Sequence, residues 1–375
     1  MTDFNQIINR KNTSSEKWDN QGGDYIPLWV ADMDFKSPQP ITDAIIKRAN
    51  HGVFGYTAWQ YTDELKNVVY DFYKREYNLE LDKEWIIFVP SVMPGATIAC
   101  KVAGGDIMYN TPMYTHIRKL YKEVGKNAIE IPLKIEAGKY TFDFEAMQKA
   151  INKDIKAFIL CNPHNPVGRV YTQEELEKVV EFCDENDLLL ISDEIHSELI
   201  LEGKHIPAFA INEKAKERSI TIASAAKTYN IPAMPIGFVI IPNREIRNKF
   251  KKEILGLYGQ VPVLTVEAFK AAYKECREWR EELLEYLRGN RDYIEERVSD
   301  INGLSINHNQ GTYLAWIDAR KLNLDDPYKY FLDNANIKFS DGRDFGQKGF
   351  IRINFGCPRS TLKEAFDKIE KLLNA

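Results

Sequence analysis

Short apolar runs rich in β-branched residues recur along the chain, and polar segments with helical spacing separate them. Each run is about as long as one buried strand. The pair Thr172 and Glu175 is typical of a capping box, so we expect a helix there that continues to about Asn186. Strands that alternate with helices predict a mostly parallel sheet. The strand candidates are residues 106–110, 156–161, 188–192, 219–223 and 236–241.

The pattern changes after residue 241. Residues 265–298 form a long charged helical region, which we interpret as a solvated face without a binding role. Strand-like runs at 312–317 and 350–355, followed by a helix from about Thr361, predict a small α+β unit. The chain has 375 residues, of which 44% are hydrophobic. This length favours one large domain and one smaller domain.

Charge and cysteine content exclude several classes of function. The net charge of −5 and the pI near 5.8 argue against nucleic acid or a membrane as partner. The five cysteines are scattered without metal-like spacing, so we expect reduced thiols and no bound metal. The first residues lack the pattern of a secretory signal, and no apolar run reaches about twenty residues. These features predict a cytoplasmic protein.

The candidate chemistry lies where apolar runs end. Lys227 follows the run 219–223, and Asp193 directly follows the run 188–192. In open α/β sheets, ligands bind at the carboxyl ends of the strands. A desolvated lysine is a nucleophile that holds an aldehyde cofactor as a Schiff base, and a carboxylate can keep a pyridinium nitrogen protonated. The sequence alone also allows an ordinary surface lysine and a helix-capping aspartate.

Two further strand ends carry polar or aromatic candidates. The run 156–161 leads into Asn162-Pro163-His164-Asn165-Pro166-Val167-Gly168, a rigid turn in which Asn165 either donates its amide to a ligand or stabilises the turn. Tyr114 follows the run 106–110 and either stacks on a ligand ring or only packs.

Taken in order, three segments resemble a known family. They are Asn-Pro-His-Asn-Pro-Val-Gly at 162–168, Ser-Asp-Glu-Ile-His at 192–196 and Ser-Ala-Ala-Lys-Thr-Tyr-Asn at 224–230. The chain resembles the class I/II aminotransferase-like enzymes of fold type I, which use pyridoxal phosphate. Trp-Val-Ala-Asp-Met-Asp-Phe at 29–35 makes it most similar to the bacterial cystathionine β-lyase or C–S lyase branch. Supporting segments lie at 54–57, 311–316 and 350–354.

The resemblance implies roles for residues around the cofactor ring. Lys227 binds the cofactor covalently, Asp193 pairs with the pyridine nitrogen and Asn165 bonds the phenolic oxygen. His196 occupies the place where many relatives have a tyrosine, and Tyr114 matches the aromatic residue that stacks on the ring. Without the resemblance, the preferred interpretation of His196 is a core histidine with satisfied hydrogen bonds.

The resemblance also implies a phosphate site and a substrate site. Gly95 and Ala96 supply backbone amides at a helix start, Ser224 supplies a hydroxyl, and Tyr56 reaches the phosphate from a neighbouring subunit. Arg352 clamps the substrate α-carboxylate, and Ala31 belongs to the same substrate site. The alternative for Arg352 is a structural ion pair.

The implied architecture is that of aspartate aminotransferase. A large three-layer αβα cofactor domain with a mostly parallel sheet spans residues 45–255, and a small α+β domain combines residues 1–44 with 256–375. The active site lies between the domains, and Tyr56 completes it from the second subunit of a homodimer.

The expected reaction is β-elimination of a thiol from cystathionine or a cysteine-type amino acid, which yields pyruvate and ammonia. The same residues also serve an aminotransferase that acts on an L-amino acid and a 2-oxo acid. A third interpretation is a regulatory protein that has kept the cofactor fold. The sequence does not reveal the substrate side-chain pocket, for which Trp59, Tyr229 and Tyr258 are candidates or else core residues.

Overall fold

Strands and helices alternate through most of the computed structural model, which describes residues 2–20, 24–58 and 63–374. The strands are β1 Ile26–Pro27, β2 Ile86–Val89, β3 Asp106–Thr111, β4 Ala128–Pro132, β5 Lys134–Glu136, β6 Lys139–Thr141, β7 Ile155–Cys161, β8 Leu189–Asp193, β9 Ser219–Ala223, β10 Gly237–Ile240, β11 Ser305–Ile306, β12 Leu314–Asp318, β13 Ile337–Lys338, β14 Ser340–Asp341 and β15 Phe350–Asn354. The α-helices are α1 Glu16–Asp19, α2 Gln39–His51, α3 Asp63–Tyr77, α4 Val92–Ala103, α5 Thr115–Glu123, α6 Phe144–Ala150, α7 Gln173–Glu185, α8 Glu213–Arg218, α9 Arg244–Glu253, α10 Val263–Glu275, α11 Arg277–Asp300, α12 Pro327–Ala335 and α13 Arg359–Leu373.

The large sheet has seven strands in the order β2-β10-β9-β8-β7-β3-β4. Strands β9, β8, β7, β3 and β4 are parallel to one another, while β10 runs antiparallel to both of its neighbours. The predicted mostly parallel sheet is therefore confirmed. Since β3, β7, β8 and β9 are consecutive neighbours, their carboxyl ends meet along one edge of the sheet.

Helices cover both faces of this sheet. Phe158 and Leu160 of β7 pack with α7 on one face. The intervening residues Ala157 and Ile159 pack with α4 and α5 on the other face. This alternation follows from the two-residue period of a strand and gives three layers.

A second, smaller sheet lies in the last third of the chain. Its four strands have the order β11-β12-β15-β14, and all of its pairs are antiparallel. Separately, β1 near the amino terminus pairs with β13, so the first residues of the chain join its last third. The boundaries at residues 44 and 255 remain a prediction.

The helix signals are confirmed in one region and corrected in another. Thr172 and Glu175 form the expected capping box at the start of α7. Residues 265–298, predicted as one helical region, belong to two helices, because Cys276 has φ −108° and ψ 18°. Their charged face is also not wholly solvated, since Arg280 is buried.

Candidate active site

A cavity of about 180 Å³ opens at the edge where the parallel strands end. Predicted site residues that line it are Ala31, Tyr114, Asn165, Asp193, His196, Ser224 and Lys227. They come from the carboxyl end of β8, from the turns after β3, β7, β8 and β9 and from the amino-terminal segment. Residues distant in sequence therefore meet because their strands are neighbours.

Lys227 lies in the turn that follows β9. Its Nζ donates a hydrogen bond to the carbonyl oxygen of Ala31 at 2.6 Å. Burial lowers the pKa of Lys227 to about 8, although the carboxylates of Asp32 and Asp193 oppose the shift. About a tenth of this amine is thus neutral and nucleophilic at pH 7, far more than for an exposed lysine.

Asp193, the last residue of β8, presents a buried carboxylate to the cavity. One oxygen accepts from the backbone N–H of Ile195 at 3.1 Å. The residues that follow form turns, so Asp193 does not cap a helix. Burial raises the pKa of Asp193 to about 6, with the neighbouring Glu194 acting in the same direction. This carboxyl group lacks a cation in direct contact within the described residues and is suited to a cationic ring nitrogen.

Arg352 of β15 is a buried cation whose partners are all uncharged. Its guanidinium donates to the side-chain oxygen of Asn165 at 3.1 Å, the carbonyl of Trp29 at 2.8 Å and the hydroxyl of Ser340 at 3.1 Å. Its Nε has no partner among the described residues. Burial lowers the pKa of Arg352 to about 10. The described residues thus provide no structural ion pair, and the cation is available for an anionic ligand.

His196 lines the cavity as a buried, neutral ring. Burial lowers its pKa to about 3, and the nearby cations Lys227 and Arg352 act in the same direction. Its Nδ1 has no hydrogen-bond partner in the described part of the chain. It is therefore not a core histidine with satisfied hydrogen bonds. The His196 ring is edge-on to the Tyr313 ring, with 5.9 Å between the ring centroids. The Tyr313 hydroxyl donates to the carbonyl oxygen of Ala31 at 2.9 Å.

The two predicted phosphate amides, those of Gly95 and Ala96, lie inside helix α4 and not at its start. Helix α4 begins at Val92, and the N–H of Gly95 donates to the carbonyl of Ser91 at 3.3 Å. Ala96 lies deeper in the same helix and is buried. The amides without intrahelical partners belong to the first turn, where Val92 and Met93 line the cavity with Ser91. Pro94 was the available signal, because proline is tolerated in the first turn of a helix.

The other two residues predicted to bind the phosphate, Ser224 and Tyr56, lie in different environments. The Ser224 hydroxyl donates to the carbonyl of Ile236 at 2.6 Å and accepts from the N–H of Ala226 at 3.1 Å, so its proton is already used. Tyr56 is fully exposed and borders a separate surface hollow with residues 260–264. Tyr56 does not line the cavity that contains Lys227.

Of the remaining candidates, the two that the structure describes do not line the cavity. Tyr229 is buried elsewhere, Tyr258 is absent from the cavity wall and Trp59 lies outside the described residues. Sequence reasoning missed Cys161, Pro232, Pro235 and Ile236, which do line it. They are small or apolar and carried no chemical signal.

Within the described ranges 2–20, 24–58 and 63–374, no cluster of three or more histidine, cysteine, aspartate or glutamate side chains is arranged to hold a metal ion. No helix there is both long and apolar enough to cross a membrane.

The fold and the residues at the strand ends define a family. The chain belongs to the aminotransferase class I and II family, whose model matches residues 23–369. The resemblance read from the motifs is thereby confirmed.

Individual relatives extend over essentially the whole chain. Cystathionine beta-lyase PatB of Bacillus subtilis is 32% identical, with 99% of this chain and 100% of that protein covered. The crystal structure of OvoB is 36% identical, with a TM-score of 0.95 and 99% of each chain covered. Cystalysin of Treponema denticola, whose crystal structure contains a pyridoxal 5'-phosphate cofactor, is 33% identical with a TM-score of 0.94, over 100% of this chain and 99% of that chain.

Proposed function

We propose that this protein is a pyridoxal-phosphate-dependent C–S β-lyase that releases a thiol, pyruvate and ammonia from cystathionine or a cysteine-type amino acid. One observation carries the proposal: a single cavity joins Lys227, Asp193 and Asn165, and the buried cation of Arg352 contacts Asn165 at its edge. The lyase names and the bound cofactor of the relatives support the same activity here.

The polar atoms of the cavity fit pyridoxal phosphate. Asp193 would hold the proton of the ring nitrogen, and Asn165 with the orphaned His196 would face the phenolic oxygen. Lys227 would bind the aldehyde carbon. The free amides at the start of α4 would hold the phosphate, since a helix amino terminus is an anion site. When bound through its aldehyde to an amine, the cofactor supplies a sink for the electron pair left at the substrate Cα.

The protein's own groups then direct the elimination. The Arg352 guanidinium binds the substrate α-carboxylate with its planar fork, which fixes the orientation of Cα above Lys227. The neutral Lys227 amine takes the Cα proton. The C–S bond breaks and its electron pair leaves with the thiolate, and the three-carbon enamine product hydrolyses in water to pyruvate and ammonia.

A substrate assay tests this function. We expect the holoprotein, mixed with cystathionine or cysteine and no 2-oxo acid, to release pyruvate and thiol in equal amounts. The Lys227→Ala variant should release neither. Consumption of amino acid that requires an added 2-oxo acid would establish an aminotransferase instead. Full cofactor occupancy without turnover of any amino acid would favour a regulatory role.

We also propose a cytoplasmic homodimer with shared active sites. Tyr56 is fully exposed and Phe54 and Val53 are more than half exposed, an apolar surface that a partner subunit would cover. The five cysteines are free, buried thiols, which suits a reducing compartment. In this proposal the large domain spans residues 45–255, and residues 1–44 join 256–375 in the small domain.

A further inference from the structure

The two turns that carry the catalytic groups are tied together behind the cavity. Asp193 ends β8, His196 lies in the turn that follows, and Lys227 lies in the turn after β9. The Tyr229 hydroxyl, two residues beyond Lys227, donates to the Glu198 carboxylate, two residues beyond His196, at 2.9 Å. Both side chains are buried. Each turn thus carries a side chain that lines the cavity and a side chain that forms this hydrogen bond.

The bond is anchored to two helices. The same Oε2 atom of Glu198 accepts from Arg280 of α11 at 3.1 Å, and the Arg280 guanidinium also binds Glu76 of α3 at 2.6 Å. The Glu198 and Arg280 side chains are 3% and 7% exposed. Removing one partner from such a buried pair is costly, so the Glu198 carboxylate has one fixed place.

Asn230 holds the far side of the lysine turn. This residue has φ +53°, and its side-chain amide donates to the carbonyls of Met33 at 2.9 Å and Phe35 at 2.8 Å. The lysine turn is therefore fixed on two sides, by the segment that also contains Ala31 and by Glu198.

A second cavity of about 500 Å³ lies behind the turns. Ile195 and His196 line the front cavity, whereas the next residues, Ser197 and Glu198, line the rear one with Arg280. Tyr229 itself is buried against the rings of Tyr273 and Trp279. The two turns are also joined where their strands end, since the N–H of Glu194 donates to the carbonyl of Ile222 at 2.8 Å. The bond from Tyr229 to Glu198 is a second link, farther along both turns.

We infer that the hydrogen bond from Tyr229 to Glu198 is a positioning contact that holds the Lys227 turn in register with the Asp193 and His196 turn. The contact touches neither substrate nor cofactor and acts through Lys227. A catalytic amine displaced by a fraction of an ångström still reaches its ligand, but it meets the Cα proton at a poorer angle. The chemical step is therefore more sensitive to this bond than binding is. The inference deepens the proposed function and rests on it.

Tyr229→Phe is the direct test, because it removes one oxygen atom and keeps the ring. In the holoprotein, we expect kcat for pyruvate release from cysteine to fall about 10- to 100-fold, with KM changed by less than about threefold. The visible circular dichroism per bound cofactor should also fall, since that signal reports how the protein orients the cofactor. Bound cofactor is counted by mass spectrometry after borohydride reduction.

Tyr109→Phe is a matched control. Tyr109 is also buried, and its hydroxyl donates to Glu130 at 2.7 Å, which in turn pairs with Arg118. We expect this variant to keep the wild-type kcat and dichroism. Wild-type values in Tyr229→Phe, or an equal loss in Tyr109→Phe, would overturn the inference. Failure of the proposed function shows separately, as absence of pyruvate release by the wild-type protein.

Discussion

Three ionisable side chains at the site are buried, and burial shifts the pKa of each. Burial shifts the pKa of Lys227 to about 8, that of Asp193 to about 6 and that of Arg352 to about 10. Each shift favours the neutral form, which means that the protein alone does not fully solvate these charges. Such groups destabilise the free protein and are retained where a ligand supplies the missing partner.

The Asp193→Asn variant measures how much the buried carboxyl group of Asp193 destabilises the apoprotein. Between about pH 4 and pH 6 the unfolded chain loses the Asp193 proton while the folded chain keeps it, so the free energy of unfolding decreases as pH rises. The shift from 3.8 to about 6 corresponds to roughly 3 kcal/mol. We expect Asp193→Asn to be more stable than wild type by about this amount at pH 7 and nearly equal to it at pH 4. Urea unfolding at several pH values checks this, and a pH-independent difference would contradict it.

Arg352→Lys tests the carboxylate clamp. Lysine keeps the charge but loses the planar fork, so about 1.5–3 kcal/mol of charge-assisted hydrogen bonding is lost. We expect KM for the amino acid to rise about 10- to 100-fold. Arg343→Lys is the control, because Arg343 is exposed and pairs with Asp326 and Asp341. An unchanged KM in Arg352→Lys would refute the clamp.

Single residues were predictable where a strand end marks them. Lys227, Asp193 and Asn165 follow apolar runs, and neighbouring parallel strands bring such positions together. The partners of Arg352 and the bond between Tyr229 and Glu198 were not predictable. They join residues far apart in sequence through turns whose geometry only the folded chain defines.

At the scale of elements, the start of helix α4 lines the cavity where we propose that the phosphate binds. It packs directly on the sheet, since a Cβ atom on Gly95 would lie 3.2 Å from Ile222 and 3.4 Å from Val89. The glycine thus permits close approach of the helix to the sheet, and its backbone N–H does not face the cavity.

Gly95→Val tests this packing. The extra methyl groups would push α4 away from the sheet, at a cost of about 1–3 kcal/mol in stability, and would displace the free amides of Val92 and Met93. We expect weaker binding of pyridoxal phosphate, measured by absorbance titration of the apoprotein. Lys101→Val, on the exposed face of the same helix, should leave the affinity unchanged. Equal affinities for the two variants would show that the packing of α4 does not set the phosphate site.

The hydrophobic pattern predicted the positions of strands and helices more reliably than it predicted the direction of a strand or the residue at which a helix ends. The strand runs before Thr111, Asn162 and Ser224 were correctly located. An apolar run does not encode its direction, so the antiparallel orientation of β10 was not foreseen. The break between α10 and α11 at Cys276 was also not predicted, because the residues on both sides of it have helical spacing.

At the scale of the whole molecule, the fold was predictable because alternation of strands and helices limits the topology. The assembly could not be predicted from the hydrophobic pattern, since the pattern does not show which surface would cover an exposed residue such as Tyr56. The limits between large and small domain likewise depend on contacts that the hydrophobic pattern does not specify.

Mixing two inactive variants tests the shared site. A heterodimer of Tyr56→Ala and Lys227→Ala subunits contains one site with both changes and one site with neither. We expect unfolding and refolding of an equal mixture to restore about a quarter of the wild-type activity, because half of the dimers are mixed and each has one intact site. No recovery, with dimers seen in sedimentation, would exclude a contribution of Tyr56 across the interface.

Borohydride reduction of the holoprotein, followed by digestion and mass spectrometry, tests the central claim most directly. Reduction fixes the cofactor to the amine that binds it. The account predicts a pyridoxyl phosphate group on Lys227, in the peptide that contains residues 224–230. A label on another lysine, or no label after reconstitution with pyridoxal phosphate, would contradict it.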